Sequence, residues 1–269
     1  MRLIDAHVHT LDNYPSMAPF PDMGRLDRLL HLMDKCGVEK AVMLPVVADF
    51  SPNNNEECAR WAREHADRLV ALTNVQLEQD DAAVHITQAR QEFDAAGISY
   101  YPPTPDLKWL LESRCDPIWE ALQTHDLVCN LQVTAPNYAT FLELARHHSQ
   151  ITFVANHLAL PSTLPQGDAD YGGFMAARDL PNIFVKASAF YAAAATSWDF
   201  RCPQALSCFA RLVEGLGPDR ILWGTDWPPC GNHITYHQAL EIVRTCAGLD
   251  EESLTLILGE NAVRAYKIG

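Results

Sequence analysis

The sequence predicts an α/β fold in which residues 1–269 form one (β/α)8 barrel domain. Three observations predict it. The chain has 269 residues, close to the about 250 that such a barrel commonly needs. Short apolar runs alternate with amphipathic helical stretches along the chain, and polar side chains are found at the ends of several runs. A doubly wound open sheet is the alternative that the same alternation allows.

Eight runs rich in apolar and β-branched residues predict the strands. In chain order they are Arg2–His9, Lys40–Pro45, Leu69–Val75, Ile98–Tyr101, Leu127–Val133, Ile151–His157, Ile183–Ser188 and Arg220–Asp226. Apolar residues at helical spacing predict helices between them at Gly24–Cys36, Asn55–His65, Ala82–Ala95, Asp116–Thr124, Tyr138–His148, Phe174–Asp179 and Pro203–Glu214. Two further helices, Tyr236–Cys246 and Glu251–Tyr266, are predicted to close the chain. Glycine commonly ends a helix, and Gly37 and Gly97 follow the first and third of these helices.

Charge and composition narrow the class of protein. The formal net charge of -14 makes a nucleic-acid partner unexpected. No apolar run approaches the about 18 residues of a membrane span, and the first predicted strand begins at Arg2, which leaves no room for a signal peptide. The eight cysteines include no Cys-X-X-Cys pair, which is typical of reduced, buried thiols. We therefore expect a globular, cytoplasmic protein that does not bind a membrane.

Two histidines near the start of the chain form the most informative motif. In the first predicted strand, alternation places the side chains of Asp5, His7 and His9 on one face. His157 and Asp226 end the sixth and eighth predicted strands. Functional residues of such barrels lie at the C-terminal ends of the strands, so we expect the three histidines and Asp226 to meet at one mouth. Three imidazoles and a carboxylate suit Zn²⁺, and also Mn²⁺ or Fe²⁺.

The alternative is that these polar residues have only a structural role. His7 and His9 would then be core histidines satisfied by hydrogen bonds, and Asp226 would cap the loop behind its strand. Several polar side chains aimed into one barrel cost on the order of several kcal/mol unless an ion or a hydrogen-bond network satisfies them. We therefore favour a site, in which Asp226 can also take a proton from a metal-bound water.

Four segments carry a resemblance to a known family. They are Asp5-Ala6-His7-Val8-His9-Thr10, Asn156-His157-Leu158, Gly224-Thr225-Asp226-Trp227-Pro228 and Leu258-Gly259-Glu260-Asn261-Ala262. Over essentially its whole length the chain resembles the amidohydrolase superfamily, specifically its amidohydrolase-2 branch. That branch includes lactonases of sugar acids and muconate-type lactones, and aromatic-acid decarboxylases. The resemblance implies that His7 and His9 are metal ligands, that His157 is the histidine of the sixth strand, and that Asp226 is both a metal ligand and the general base.

The chain departs from the superfamily pattern at two strands. Where many members have a metal-binding histidine, the fifth predicted strand carries the amides of Asn130 and Gln132. The fourth carries Tyr100 and Tyr101, with no lysine to bridge two metals and no arginine to hold a second carboxylate. We therefore expect one divalent metal, zinc before manganese or iron, with a metal-free enzyme as the alternative. A dicarboxylic substrate is disfavoured.

Further polar residues near strand ends are candidates for contact with a substrate. If the side chain of Lys186 points into the barrel, it can bind a substrate oxygen or polarise a carbonyl. The alternatives are that it pairs with Asp5 or points to the helix side. The amide and hydroxyl side chains among these candidates can form hydrogen bonds with hydroxyl groups or a lactone carbonyl of a substrate, although they can equally fill the barrel interior. Long loops at 11–22, 50–55, 162–173 and 191–202 are predicted to surround the mouth. The predicted substrate-binding residues are Gln132, Asn130, Tyr101 and Ser188, and the predicted catalytic residues are Asp226, His157 and Lys186.

These candidates predict a hydrolase that opens a lactone, or a similar ester-like C–O bond, of a small organic acid. Water attacks the carbonyl, Asp226 takes its proton, and His157, Lys186 or the metal stabilises the oxyanion. A metal-dependent decarboxylase of an aromatic or muconate-type acid is the alternative, and a barrel that only binds a metabolite is a third hypothesis. The expected partner is a small-molecule substrate, and a homo-oligomer is left open.

Overall fold

The structure is a computed structural model that describes residues 1–17, 20–165, 168 and 170–269. Residues 18–19, 166–167 and 169 belong to two of the loops predicted around the mouth, and they lie outside the described residues. In the described part of the chain, no helix is both long and apolar enough to cross a membrane.

The strands are parallel and lie side by side in chain order. They are β1 Ile4–Val8, β2 Lys40–Met43, β3 Leu69–Ala71, β4 Thr73–Asn74, β5 Gly97–Tyr100, β6 Val128–Leu131, β7 Phe153–Ala155, β8 Ile183–Ala187 and β9 Ile221–Trp223. The pairing runs from β1 to β3 and from β4 to β9, and Leu72 alone separates β3 from β4. The segment after β9 returns to β1 through a parallel bridge between Val8 and Trp227. This order lacks the reversal of a doubly wound sheet and confirms the predicted (β/α)8 barrel.

Helices follow the strands and pack against their outer face. They are α1 Leu26–Cys36, α2 Asn54–Glu64, α3 Ala82–Gln91, α4 Asp116–Thr124, α5 Tyr138–His147, α6 Pro203–Leu216, α7 Tyr236–Glu241, α8 Glu251–Thr255 and α9 Asn261–Tyr266. π-helical turns extend α7 and join α8 to α9, and the predicted helix Phe174–Asp179 is a 3₁₀ helix over Tyr171–Asp179. Gly37 ends α1 with a φ of 71°, as predicted. Gly97 instead begins β5, where a Cβ would collide with Val128 of the neighbouring strand.

A bulge in β1 changes which of its side chains face inward. The register of β1 against β2 shifts between Asp5 and Val8, so β1 carries one extra residue there. Strict alternation therefore fails. His7 and His9 face the barrel mouth, whereas Asp5 faces the helices and lies beside Tyr236 of α7. The prediction that all three polar side chains share a face is wrong for Asp5.

Two apolar layers enclose the strands. A large outer layer fills the space between strands and helices. The inner layer lies inside the barrel and consists of Ile4, Ala6, Val42, Leu44, Leu72, Val128, Val154, Phe184, Leu222, Ala262, Ala265 and Tyr266. Tyr266 belongs to the last helix, so α9 contributes to the barrel interior. The polar side chains near the C-terminal ends of the strands lie above this inner layer.

Candidate active site

His9 presents a nitrogen lone pair to a carboxylate. Its Nδ1 lies 2.8 Å from the carbonyl oxygen of Leu44. A carbonyl oxygen only accepts hydrogen bonds, so Nδ1 carries the proton and Nε2 of the neutral ring is an acceptor. That Nε2 lies 3.4 Å from Oδ1 of Asp226. Two acceptors at this distance repel each other unless a cation or a proton lies between them.

His7 faces the same carboxylate oxygen from a deeper position. Its side chain is fully buried, and its Nε2 lies 3.3 Å from Oδ1 of Asp226. This Nε2 has no hydrogen-bond partner among the described residues. Its Nδ1 lies 3.3 Å from Nζ of Lys186 on β8. Burial, reinforced by Lys186 and two neighbouring histidines, lowers the pKa of His7 well below its ordinary value, so the ring is neutral near pH 7.

His157 completes the group of histidines. β7 ends at Ala155, two residues earlier than the predicted strand, and His157 follows it with a left-handed φ of 55°. Its ring centroid lies 4.6 Å from that of His7, and its Nδ1 lies 2.9 Å from Oγ of Ser188. Burial lowers the pKa of His157, although Asp226 acts in the opposite direction. A non-glycine residue held at positive φ is strained, and such strain often marks a functional site.

Asp226 connects the histidines to a tyrosine. It also has a left-handed backbone, with a φ of 62°. The hydroxyl of Tyr191 donates a hydrogen bond to Oδ2, which leaves Oδ1 to face His7 and His9. Burial raises the pKa of Asp226, but the positive charge that His157 and His9 carry when protonated, together with the hydrogen bond from Tyr191, outweighs burial and holds this pKa below its usual range. The side chain is therefore a carboxylate at neutral pH.

Sequence reasoning missed Tyr191 as the partner of Asp226. Tyr191 lies in the loop after β8, and its ring stacks on His233 with the centroids 4.4 Å apart. The two residues of the hydrogen bond are 35 positions apart in the chain. Because loop residues follow no strand or helix periodicity, no sequence signal predicts this contact.

The donor set fits a metal ion. His7, His157 and Asp226 each offer a ligand atom within 4.8 Å of the others. Zinc binds nitrogen and oxygen at about 2.0–2.2 Å, which places two tetrahedral ligands about 3.3–3.5 Å apart. The two Nε2–Oδ1 separations of 3.3 and 3.4 Å match this value. A divalent cation would also satisfy the unpaired Nε2 of His7 and remove the repulsion at His9. Nitrogen and oxygen donors do not by themselves select zinc over manganese or iron.

A buried carboxylate outside the barrel holds the two ends of the site together. Oδ1 of Asp5 accepts hydrogen bonds from the backbone N–H groups of His7 and Thr225 at 3.1 and 2.9 Å. Its Oδ2 accepts from the Thr225 hydroxyl at 2.6 Å. Beside these bonds, a Cβ added at Gly224 would lie only 2.8 Å from Cβ of His7. These contacts bring the end of β1 against the segment that carries Asp226.

Three of the predicted site residues lie in the protein interior. Lys186, Ser188 and Asn130 are fully buried. Lys186 contacts His7 rather than Asp5, and both ends of the Asn130 amide form hydrogen bonds with other buried side chains. Direct contact of these residues with a substrate stays a prediction.

Two other predicted residues lie at the mouth and are partly exposed, Tyr101 and Gln132. The Tyr101 ring lies 6.5 Å from that of His9, and its hydroxyl is buried without a hydrogen-bond partner in the described part of the chain. Gln132 lines a cavity of about 240 Å³ whose wall includes Pro102 and Pro105. The residues that line this cavity do not include His7, His9, His157 or Asp226, so contact of Tyr101 and Gln132 with a substrate stays a prediction.

Comparison with known proteins assigns the chain to a family. An amidohydrolase family model, Amidohydro_2, matches residues 4–268. L-fucono-1,5-lactonase of Burkholderia ambifaria is 25% identical over an alignment of 288 positions, which covers 98% of this chain and 95% of that protein. A zinc-bound amidohydrolase from Burkholderia multivorans has the same fold, with 19% identity and a TM-score of 0.80 over 100% of both chains. So does 2,6-dihydroxybenzoate decarboxylase from Rhizobium, with 16% identity and a TM-score of 0.73 over 99% of both chains. Because the family model spans almost the whole chain, this protein is an enzyme of the amidohydrolase-2 family.

Proposed function

We propose that this enzyme hydrolyses a lactone, or a similar ester-like C–O bond, of a small organic acid, and that residues 1–269 act as one domain. The observation that carries the proposal is the ionised Asp226 at the barrel mouth. Tyr191 holds one of its oxygens, and the other faces His7 and His9. The resemblance to L-fucono-1,5-lactonase over 98% of the chain supports a lactone as the substrate class.

Asp226 acts as the general base in this proposal. Its lowered pKa keeps it ionised, and its side chain retains an exposure of 4%. A water between Asp226 and His157 attacks the carbonyl carbon while Asp226 takes one of its protons. The C–O bond of the ring then breaks, and the proton passes from Asp226 to the leaving alkoxide. The carboxylate is thereby restored for the next turnover.

Two groups are proposed to stabilise the oxyanion. The buried Tyr101 hydroxyl lacks a partner among the described residues and would gain one from the carbonyl oxygen of the substrate. Without a metal, His157 can donate to the oxyanion from its other ring nitrogen, because Ser188 holds its Nδ1 with a hydroxyl that both donates and accepts. With a metal bound, that nitrogen would be a ligand, and the ion would take this role. Loss of a single oxyanion donor commonly lowers kcat by about 10²–10³-fold.

We propose that one divalent metal, zinc foremost, is held by His7, His9, His157 and Asp226. When bound, such an ion polarises the carbonyl and lowers the pKa of a coordinated water. The buried Nε2 of His7, which has no hydrogen-bond partner in the part of the chain that the structure describes, supports this assignment. Lys186 is fully buried against Nδ1 of His7. Burial lowers the pKa of Lys186 well below its ordinary value, and the uncharged amine accepts the Nδ1 proton, so Lys186 contributes by orienting that ring with Nε2 toward Asp226.

The uncharged groups at the mouth favour a hydroxylated lactone over a dicarboxylic one. Gln132 and Tyr101 are partly exposed there, and Tyr191 is directed to Asp226. Amides and phenols pair well with hydroxyl groups, whereas a second carboxylate calls for an arginine or a lysine. We therefore propose a sugar-acid lactone as the substrate class.

A metal-dependent decarboxylase is not favoured. The likeness to 2,6-dihydroxybenzoate decarboxylase, at 16% identity, shows the fold alone. On β6, Asn130 is already hydrogen-bonded at both ends of its amide, so that strand contributes no further metal ligand through this residue. The cytoplasmic location, the lack of a nucleic-acid partner and a homo-oligomeric state stay predictions.

Turnover of a lactone panel tests the proposal. Protein purified without chelator would be assayed for metal content and for acid release from sugar 1,4- and 1,5-lactones, before and after chelation. We expect turnover of at least one lactone, and a loss of about 10²–10⁴-fold in kcat in Asp226→Asn, the range that general-base catalysis supplies. Asp219→Asn, which alters an aspartate outside the site, is the matched control and should retain wild-type activity.

The outcomes separate the competing hypotheses. Wild-type turnover in Asp226→Asn would contradict its role as the base. Release of CO₂ from aromatic acids without lactone turnover would instead support the decarboxylase. Binding of a lactone by the wild-type protein without any turnover would indicate a protein that only binds a metabolite.

A further inference from the structure

A chain of buried hydrogen bonds connects the last helix to the histidines. Tyr266 of α9 is 3% exposed, and its hydroxyl donates to Oδ1 of Asn130 at 3.2 Å. Nδ2 of Asn130 donates to Oδ1 of Asn156 at 2.9 Å. Asn156 is fully buried beside His7, and its Nδ2 has no hydrogen-bond partner among the described residues. A tyrosine from below the barrel thus reaches His7 through two amides.

The hydrogen bonds of this chain run in one direction. Within the described residues, Asn130 is the only partner of the Tyr266 hydroxyl, so the phenol donates to it rather than bury an unpaired O–H. The carbonyl end of Asn130 is then used by Tyr266, and its amino end is used by Asn156. The side-chain carbonyl of Asn156 therefore accepts a hydrogen bond from Asn130, and its amino group points toward His7.

Tyr266 also borders the second side chain that supports His7. Nζ of Lys186 lies 5.7 Å from the centroid of the Tyr266 ring and 3.3 Å from Nδ1 of His7. Lys186 and Asn156 come from neighbouring segments of the barrel, on β8 and just after β7. Both of them are linked to Tyr266, one through the ring and the other through the hydroxyl.

We propose that Tyr266 is a positioning residue for the active site: its hydroxyl, acting through Asn130, keeps the amino end of the Asn156 amide toward His7. The inference rests on the proposed function, in which His7 belongs to the reacting site. Without the hydroxyl, Oδ1 of Asn130 loses its donor and both amides are free to turn over. A reversed Asn156 would present a carbonyl oxygen to His7 and change the electrostatic surroundings of that ring.

Removal of this single hydroxyl tests the proposal. Tyr266→Phe retains the ring that packs in the inner apolar layer and beside Lys186. We expect kcat on the lactone to fall about tenfold, which corresponds to about 1.4 kcal/mol, with KM within about twofold because Tyr266 does not touch the substrate. Tyr100→Phe is the matched control, since Tyr100 is equally buried but packs in the outer layer, and its kcat should equal that of the wild type.

Two further measurements separate positioning from loss of packing. In a double-mutant cycle, Tyr266→Phe added to Asn156→Ala should lower kcat by less than about twofold, because the hydroxyl acts through that amide. ¹⁵N NMR of the histidine rings needs no substrate. It should show shifted His7 signals in Tyr266→Phe and unshifted signals in Tyr100→Phe.

Three results decide between the two proposals. Unchanged kcat and unchanged His7 signals in Tyr266→Phe would overturn the positioning role. Effects of Tyr266→Phe and Asn156→Ala on kcat that multiply would also overturn it, because independent defects combine in that way. A wild-type enzyme without lactone turnover, whose His7 signals still respond to Tyr266→Phe, would overturn the proposed function while supporting the link between Tyr266 and His7.

Discussion

Replacement of Gly224 by alanine should displace His7. A Cβ at position 224 would lie 2.8 Å from Cβ of His7 and 3.0 Å from its backbone nitrogen. Non-bonded carbon atoms pack at about 3.5–4.0 Å, so the two segments must separate by about 0.7 Å or more. The backbone of His7 is held by its hydrogen bond to Asp5, so the displacement passes to the imidazole.

Such a displacement has two measurable consequences. Overpacking of a buried contact costs about 1–3 kcal/mol of stability. A displacement of about 1 Å at a catalytic group can lower the rate by about 10²-fold. We therefore expect Gly224→Ala to fold with a lower melting temperature and to lose about 10²-fold in kcat/KM on the lactone.

Thermal unfolding and steady-state kinetics would be measured on the same preparations. Gly37→Ala is the control, because no atom lies within 4 Å of its Cβ position, while the φ of 71° makes alanine unfavourable there. It should lose stability and retain wild-type kcat/KM. A folded Gly224→Ala enzyme with kcat/KM within twofold of the wild type would refute the argument that this close approach positions His7.

Two further substitutions test single contacts of the site. Tyr191→Phe removes the hydrogen bond to Oδ2 of Asp226 and keeps the stacking on His233. Because a charge-assisted hydrogen bond is worth about 1.5–3 kcal/mol, kcat/KM should fall about 10- to 100-fold. Unchanged kinetics would exclude Tyr191 as a positioning partner. Asp5→Ala leaves the backbone N–H of His7 and the two donors of Thr225 buried without an acceptor. The free energy of unfolding, measured in urea, should therefore fall by about 3 kcal/mol or more. Asp5→Asn retains one acceptor oxygen and should cost less, and equal losses in the two variants would contradict the hydrogen-bond account.

Much of the fold and the candidate site was predictable because barrel geometry follows the chain. Strand-like runs alternate with helices, and parallel strands bring their C-terminal ends to one mouth. His7, His9, His157 and Asp226 could therefore be placed together from residues that are up to 219 positions apart. Local rules also identified Gly37 as the end of α1, because its left-handed conformation suits glycine.

Other features depended on contacts between distant segments. Alternation predicted an inward Asp5, but the bulge in β1 turns it outward, where it binds Thr225. The positive φ angles of His157 and Asp226 are imposed by the surrounding structure, because isolated residues of these types seldom adopt them.

The sequence by itself determined the order of strands and helices, the side chains available at the mouth, and the family to which the chain belongs. These properties depend on residue type and on periodicity along the chain. Only the tertiary structure decided that Tyr191 holds Asp226, that Lys186 supports His7, and that Tyr266 reaches Asn130 from the last helix. Each of these is a hydrogen-bond contact between separate elements, and its geometry exists only after the barrel has brought those elements together.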